Sequence, residues 1–416
     1  MTLPIKALPI AERWDCTGCG KCCRGNVVPL HDDDLARLRE QRWDQHPDFR
    51  GTRTIVRQRL IGGRYQLAQR DDGTCVFLTD EGLCRIHQEF GFESKPLVCR
   101  MYPLQLVPVH DTAYLTLRRS CPTAAADQGR EMRAHRDVAK AFVKERPRLA
   151  EAVPPPDIYR GHRRTWKETL LVMRGIERLL TDERFPLVRR IVHGLRYCDL
   201  LENCRLKKVD ATKLRDLIDI LVDNSPSEAA VLFREAGEPT KFSKVVFRQI
   251  TAEYLRLQPG FIVRESWSQR LRMAAAAFAF ARGRGSIPRL HESYPEASFE
   301  QVETRRLGHI GGSLQEPFVR YFEASAVSRQ YAMAGRTGWS LIEKYRALAT
   351  AYPVAMWTLR YFCQGESPTV QQVIDMITAM DRGQGYGPLG GRQHRRRISH
   401  LTQLDALDRL VIWYAR

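Results

Sequence analysis

Eight of the eleven cysteines in this 416-residue chain, Cys16, Cys19, Cys22, Cys23, Cys75, Cys84, Cys99 and Cys121, fall within its first 125 residues. Thiols gathered in this way pair as disulfides, sit as small buried hydrophobes, or ligate metal. Residues 1–10 carry only Lys6 as a positive charge and no apolar stretch precedes Trp14. A secretory signal is therefore not expected and the chain is assigned to the cytoplasm. In that reducing compartment clustered thiolates bind metal rather than form bridges. Cys16, Cys19 and Cys22 form a C-x2-C-x2-C run that can point three thiolates at one centre. The run matches the first three positions of a bacterial ferredoxin motif, which favours an iron–sulfur cluster of the 4Fe–4S type over zinc, whose ligands usually come as two separated pairs. For a fourth ligand Cys121, followed by Pro122, competes with Cys99 and Cys23. The eight sulfurs can equally divide into two tetrahedral sites, with His87, three residues after Cys84, replacing a sulfur. Spacing alone leaves the grouping open.

Cations stand beside the sulfurs in sequence: Lys21 before Cys22, Arg24 after Cys23, Arg85 after Cys84 and Arg100 after Cys99. Four thiolates around a divalent ion leave net negative charge, which nearby cations offset while lowering the thiol pKa.

The elements that must position these residues are short. The first run, from Trp14 to Gly25, reads as a loop in which glycines allow tight turns. Asp32, Asp33 and Asp34 place negative charge at the start of a short helix expected to reach about Gln41. Residues 65–68 and 75–78 flank Asp71-Asp72-Gly73, and Asp80-Glu81-Gly82 leads into residues 83–87, a pattern of short strands and hairpin turns. An apolar, β-branched run through Tyr114-Leu115-Thr116-Leu117 ends at Cys121-Pro122.

These blocks together resemble a known family. Cys16-x2-Cys19-x2-Cys22-Cys23, then Cys75-x-Phe77-Leu78-x3-Gly82-x-Cys84-x-Ile86-His87, then Lys95-Pro96-x2-Cys99-Arg100-x-Tyr102-Pro103 occur in the order found in the CxxCxxCC zinc- or iron-chelating domain, also described as an iron–sulfur-cluster-containing family. The resemblance covers about the first 122 residues and implies metal ligation by the cysteines. The chain is also distantly similar to the flagellin lysine-N-methylase group, which carries a related cysteine domain, a helical remainder and a similar total length. That similarity implies S-adenosylmethionine as cofactor and methyl transfer to a protein lysine.

From Ala124 onward the pattern changes to long amphipathic stretches. Pro154-Pro155-Pro156 reads as a linker, because consecutive prolines cannot continue a helix. The expected fold is mainly α: a cysteine-rich metal-binding module with short strands over residues 1–125, a connecting helix and Pro-rich linker over 126–156, and an all-helical domain over 157–416. Helices are predicted at 166–180, 186–205, after Asp210 as N-cap, and near 243–257, 264–282, 314–332, 339–363, 369–380 and 400–415. The glycine-rich, basic stretch 382–397 reads as an exposed loop. No run approaches the roughly 20 apolar residues of a membrane span.

The chain carries 66 Lys and Arg against 48 Asp and Glu. Residues 1–125 hold 18 of the former and 15 of the latter, so 15 of the 18 excess charges belong to the helical region. That basic surface suits a protein substrate or an acidic partner. Its clusters, Arg163-Arg164 and Arg395-Arg396-Arg397, are short and lack the interleaved aromatics of a nucleic-acid surface. Cys198, Cys204 and Cys363 read as packing residues, since 198 and 204 lie about 240° apart on a helix. No strand pattern precedes Gly308-His309-Ile310-Gly311-Gly312 or Arg282-Gly283-Arg284-Gly285, which argues against a dinucleotide-type loop. The functional expectation is therefore a protein holding an iron–sulfur cluster or zinc, in support of protein lysine N-methylation. The alternatives are a helical interaction scaffold with a structural zinc module, and a redox or metal-handling protein.

Overall fold

The computed structural model describes the chain except residues 1, 9, 11, 25, 58–64, 205, 207–208, 257–266, 292, 309, 334–337 and 387–390, with backbone only at 268–270 and 384–386. In the N-terminal part the elements run β1 (Ile5–Ala7), β2 (Arg13–Trp14), β3 (Pro29–Leu30), α1 (Asp32–Glu40), β4 (Ile55–Arg57), β5 (Tyr65–Leu67), α2 (Arg85–Phe90), α3 (Leu97–Met101), β6 (Leu104–Val109), β7 (Thr112–Leu117), α4 (Pro122–Ala125), β8 (Arg130–Glu131) and α5 (Arg136–Glu145). β6 and β7 pair antiparallel with Leu104 opposite Leu117, and β1 adds to β7 in parallel. β3, β5 and β4 form a second small sheet, and β2 pairs with β8.

Strands this short cannot enclose a core by themselves. The first half of the module closes over Leu35, Leu38, Trp43, Phe49, Leu67 and Phe77, with the Trp43 and Phe77 rings 4.9 Å apart. Asp34 anchors α1 from inside: it pairs with Arg37 at 2.6 Å and accepts the Leu97 N–H at 3.0 Å, tying α1 to the start of α3.

The expected strands at 75–78 and 83–87 are not formed. Isolated bridges join Gln69 to Cys75 and Leu78 to Cys84, and the chain then coils into α2. The segment from Arg85 to Phe90 lacks the alternation of a half-buried strand and buries Ile86, which suits a single-sided helix.

The remainder is helical among the described residues: α6 (Trp166–Leu180), α7 (Leu187–Asn203), α8 (Ala211–Glu235), α9 (Lys241–Leu255), α10 (Trp267–Arg282), α11 (Phe299–Thr304), α12 (Glu316–Val327), α13 (Gln330–Met333), α14 (Leu341–Cys363), α15 (Val370–Tyr386), α16 (Arg392–Gln403) and α17 (Ala406–Tyr414). α14 is buried on all sides except at Glu343 and Phe362, as a central core helix must be, and it begins with a Ser340–Glu343 capping box. Asp210 caps α8 by accepting from the N–H groups of Thr212 and Lys213. No helix among the described residues is long and apolar enough to cross a membrane.

Two helix expectations and one loop expectation are corrected. The helix at 314–332 divides into α12 and α13 at Arg329, whose φ of 58° leaves the right-handed region. The helix at 400–415 divides into α16 and α17 at Asp405, with a φ of 47°. Residues 382–397 are mostly helical rather than an exposed loop, residues 387–390 lying outside the described ones. Gly383 serves packing there: a Cβ would come within 2.7 Å of the Tyr254 carbonyl oxygen, so α15 can lie this close to α9 only with glycine. Two arginines of that stretch are paired with carboxylates, Arg395 with Glu343 and Arg397 with Glu253.

The cysteine module is seated on the helices. Gln330 bonds Gln105 at 2.6 Å, the Arg329 guanidinium lies 5.4 Å from the Tyr114 ring centre, and α15 packs along α4. Residues 153–157, inside the proline stretch, form no regular element but are stitched down by Trp166 Nε1 to the Val153 carbonyl and Leu341 N–H to the Asp157 carbonyl.

Candidate metal centre

The loop from Cys16 to Cys23 reaches the rest of the module through backbone. Gly20 has a φ of 65° and its Cα lies so near the Asp80-Glu81-Gly82 turn that a Cβ would meet the Gly82 oxygen at 2.8 Å. Cys75 N–H donates to the Cys23 carbonyl at 2.8 Å, and Arg24 bridges to Thr74. At the other end of the loop, the Thr17 and Thr123 hydroxyls are 3.2 Å apart, which sets the Cys16–Cys19 stretch beside Cys121. Two glycine-permitted turns therefore stack on each other, and the first cysteine run is stretched between two supports.

This stretching divides the sulfurs. Cys23, Cys75, Cys84 and Cys99 all border the apolar cluster around Phe77, with Cys75 buried and the others partly so. The Cys22 and Cys23 sulfurs are 3.9 Å apart, close to the roughly 3.8 Å edge of a tetrahedron with 2.3 Å metal–sulfur bonds. Cys121 lies apart in a second apolar cluster with Leu97, Leu104 and Leu117, as the N-cap of α4, and Cys19 is the thiol whose charge it senses. Cys16 and Cys19 are exposed. All eleven cysteines are free thiols. Among the described residues no three Cys, His, Asp or Glu side chains stand close enough together to hold an ion as they are.

The thiols of the first group oppose one another's ionisation. Burial pushes the Cys75 thiol up to about 12, and the charges of Cys84 and Cys22 push in the same direction. Burial holds Cys99 well above the usual thiol range, with Cys75, Cys84 and Cys22 again adding to the rise. The Cys23 thiol, and then burial, raise Cys22. Sulfurs from three separated segments thus feel one another across a single apolar site. As thiols they are neutral there, and losing their protons requires a positive charge among them.

Sequence placement of the cations does not carry over to space. Arg85 bonds Asp48 at 2.8 Å, Lys21 faces Asp375 at 3.7 Å, and buried Arg100 bonds Glu145 and Glu93 at 2.7 and 2.9 Å. Arg24 lies near Asp72, whose carboxyl it helps to lower. Lys95 is the cation that lowers the Cys22 and Cys99 thiols. It stands in the Lys95-Pro96-x2-Cys99 block, but four residues from the nearest cysteine, so adjacency could not single it out. His87 is exposed, with its ring set edge-on to Phe92 at 5.9 Å. In the helical region Cys198 and Cys363 are buried in the main core and Cys204 packs against it, donating to the Leu200 carbonyl.

Residues 15–122 match the family model CxxCxxCC, described as "Putative zinc- or iron-chelating domain". The uncharacterized protein MJ0939 of Methanocaldococcus jannaschii is 29% identical over 114 residues, which cover 26% of this chain and 36% of that protein. The chain thus spans about a third of the length of the curated relative it matches. No solved structure matches the chain. The matched residues 15–122 hold all eight clustered cysteines.

Proposed function

We propose that this protein binds a zinc or iron centre through four thiolates drawn from Cys22, Cys23, Cys75, Cys84 and Cys99, and that the helical domain carries this centre as a docked module. The observation that supports it most is the grouping of these sulfurs, from separate chain segments, around one apolar site where their charges interact. Four soft donors on a small, core-poor module suit either a tetrahedral zinc or a 4Fe–4S centre. The first run argues less for iron in space than in sequence, because Cys19 faces Cys121 while Cys22 joins the other group. Cys16, Cys19 and Cys121 form the second set of thiols, at the mouth of the loop. Support for methyl transfer rests on the distant family similarity alone, and the reading put forward is metal binding in a structural or redox capacity.

Anaerobic purification followed by iron, sulfide and zinc analysis tests this. One four-thiolate centre per chain is expected. A visible absorption band with stoichiometric sulfide identifies a cluster, and a colourless protein with one zinc identifies the mononuclear site. A protein that takes up neither metal overturns the proposal.

A further inference from the structure

A second candidate site lies in the helical domain, between the C-terminal half of α7, α14 and the α16–α17 corner. It is an open cleft of about 240 Å³ whose charged lining is Arg196, Asp199, Glu202, Arg346, Asp405 and Asp408. Four carboxylates against two guanidiniums make an acidic cleft in a chain of net charge +18. The guanidiniums are already committed. Arg346 bonds Asp199 and Glu202 at 2.7 and 2.8 Å, and Arg196 is shared between Asp199 and Glu228 at 3.8 and 3.7 Å. Asp408 is left over: its Oδ1 is buried in the lining with no hydrogen-bond partner among the described residues. Burial and the nearby Asp199 carboxylate push its pKa up to about 7, the mark of a carboxyl lacking a counter-charge. Asp405, which turns the chain from α16 into α17, is held at a φ of 47°, a conformation that costs a non-glycine residue energy.

We infer that this cleft binds a small organic cation whose primary ammonium group pairs with Asp408 and whose aliphatic chain lies toward Asp405 and Glu202. The size of the space favours this over an inorganic ion, since a single water or bare ion fills only a small part of it. The spacing of the acids agrees: no three of them among the described residues are placed to coordinate one ion. An alkylammonium instead offers three N–H donors at one end, and a diamine offers a second set to the outer carboxylates. The lining residues all belong to the helical domain, and occupation of the site requires no metal.

Calorimetric titration of the full-length protein with 1,4-diaminobutane tests the assignment. Saturable one-to-one binding is expected, weakened at least tenfold by Asp408→Asn and several-fold by Glu202→Gln, which lies at the rim. Asp408→Asn preserves shape and mimics the protonated carboxyl, so the variant is expected to fold, and circular dichroism verifies this. 1-Butanol, which has the chain length without the charge, should give no saturable heat. Absence of saturation by about 10 mM diamine, equal binding by Asp408→Asn, equal binding of butanol, or stoichiometric displacement by Mg²⁺ would each overturn the proposal.

Discussion

Asp381 on α15 accepts a hydrogen bond from Arg118 Nε at 3.0 Å, and the same oxygen accepts the Ser120 N–H at 2.8 Å, one residue before Cys121. Both side chains of this ion pair are largely buried, at 13% and 7% exposed. The bond therefore fastens the cysteine module to the helical domain at the point where the second thiol group begins. Removing one partner of a buried pair strands the other charge. Asp381→Ala should cost about 3–5 kcal/mol, seen as a lowered midpoint in chemical denaturation. Asp381→Asn, which keeps one acceptor, should cost less. A midpoint unchanged in both variants would show that the docking does not depend on this contact.

Gly20 offers a test of the loop that separates the thiols. Its φ is positive, and a Cβ at this position would stand 2.8 Å from the Gly82 oxygen, which leaves no room for a side chain. Gly20→Ala should displace the Cys22-Cys23 corner from the site that Cys75, Cys84 and Cys99 border. The expected result is a fall in bound metal with the far-ultraviolet helical signal unchanged, because the helices from α6 to α17 pack on a core of their own. Full metal content in this variant would place the ligands elsewhere.

The long helices were legible because their apolar spacing and caps are local: Asp210 caps α8 as expected, and α6 begins at Trp166. What escaped the sequence was set by contacts between distant segments. Gly383 looks like a loop residue until Tyr254 is seen against it, and Arg329 and Asp405 break helices whose periodicity runs through them. At the metal centre the residue types were legible but their grouping was not. Cys22 and Cys19 are three apart in sequence, yet the Gly20 turn and the Thr17–Thr123 contact send them to different groups. Lys95 escaped for the same reason, since its effect on Cys22 acts through space.

Metal uptake should release protons. Cys75 and Cys99 are raised by burial, so at neutral pH these thiols are protonated and must lose their protons to ligate. Apparent affinity should therefore rise with pH, by up to about tenfold per pH unit for each thiol displaced. Competition against a chromophoric chelator at two pH values measures the slope. Cys75→Ser, Cys84→Ser and Cys99→Ser should each lose most of the bound metal. The adjacent pair can substitute for each other in part, so Cys22→Ser and Cys23→Ser singly should lose less than the double variant. Cys198→Ser and Cys363→Ser should keep full metal content. A flat pH response would mean that the thiols are already ionised.

The unpaired carboxyl of Asp408 gives a stability prediction with a definite sign. Its pKa rises from 3.8 to about 7 on folding, chiefly through burial, with Asp199 adding to the rise and Arg196 and Arg346 opposing it. The folded state thus holds the proton more tightly than the unfolded chain does. Between pH 4 and pH 7 the folded state binds more protons, so the Asp408 contribution falls as pH rises through that window and stays low above it. Glu12, Glu177, Asp199 and Glu323 are also raised by burial and bend the wild-type curve the same way, so the comparison must be with a variant. Asp408→Asn removes the titration while keeping the shape. Near pH 4 the two proteins should be about equally stable, and at pH 8 the asparagine variant should be the more stable by about 2–4 kcal/mol. Urea denaturation at the two pH values, without added amine, measures the difference. A variant less stable than wild type at pH 8 would show that the Asp408 carboxylate is well compensated by Arg196 and Arg346 and is not an open position for a cation.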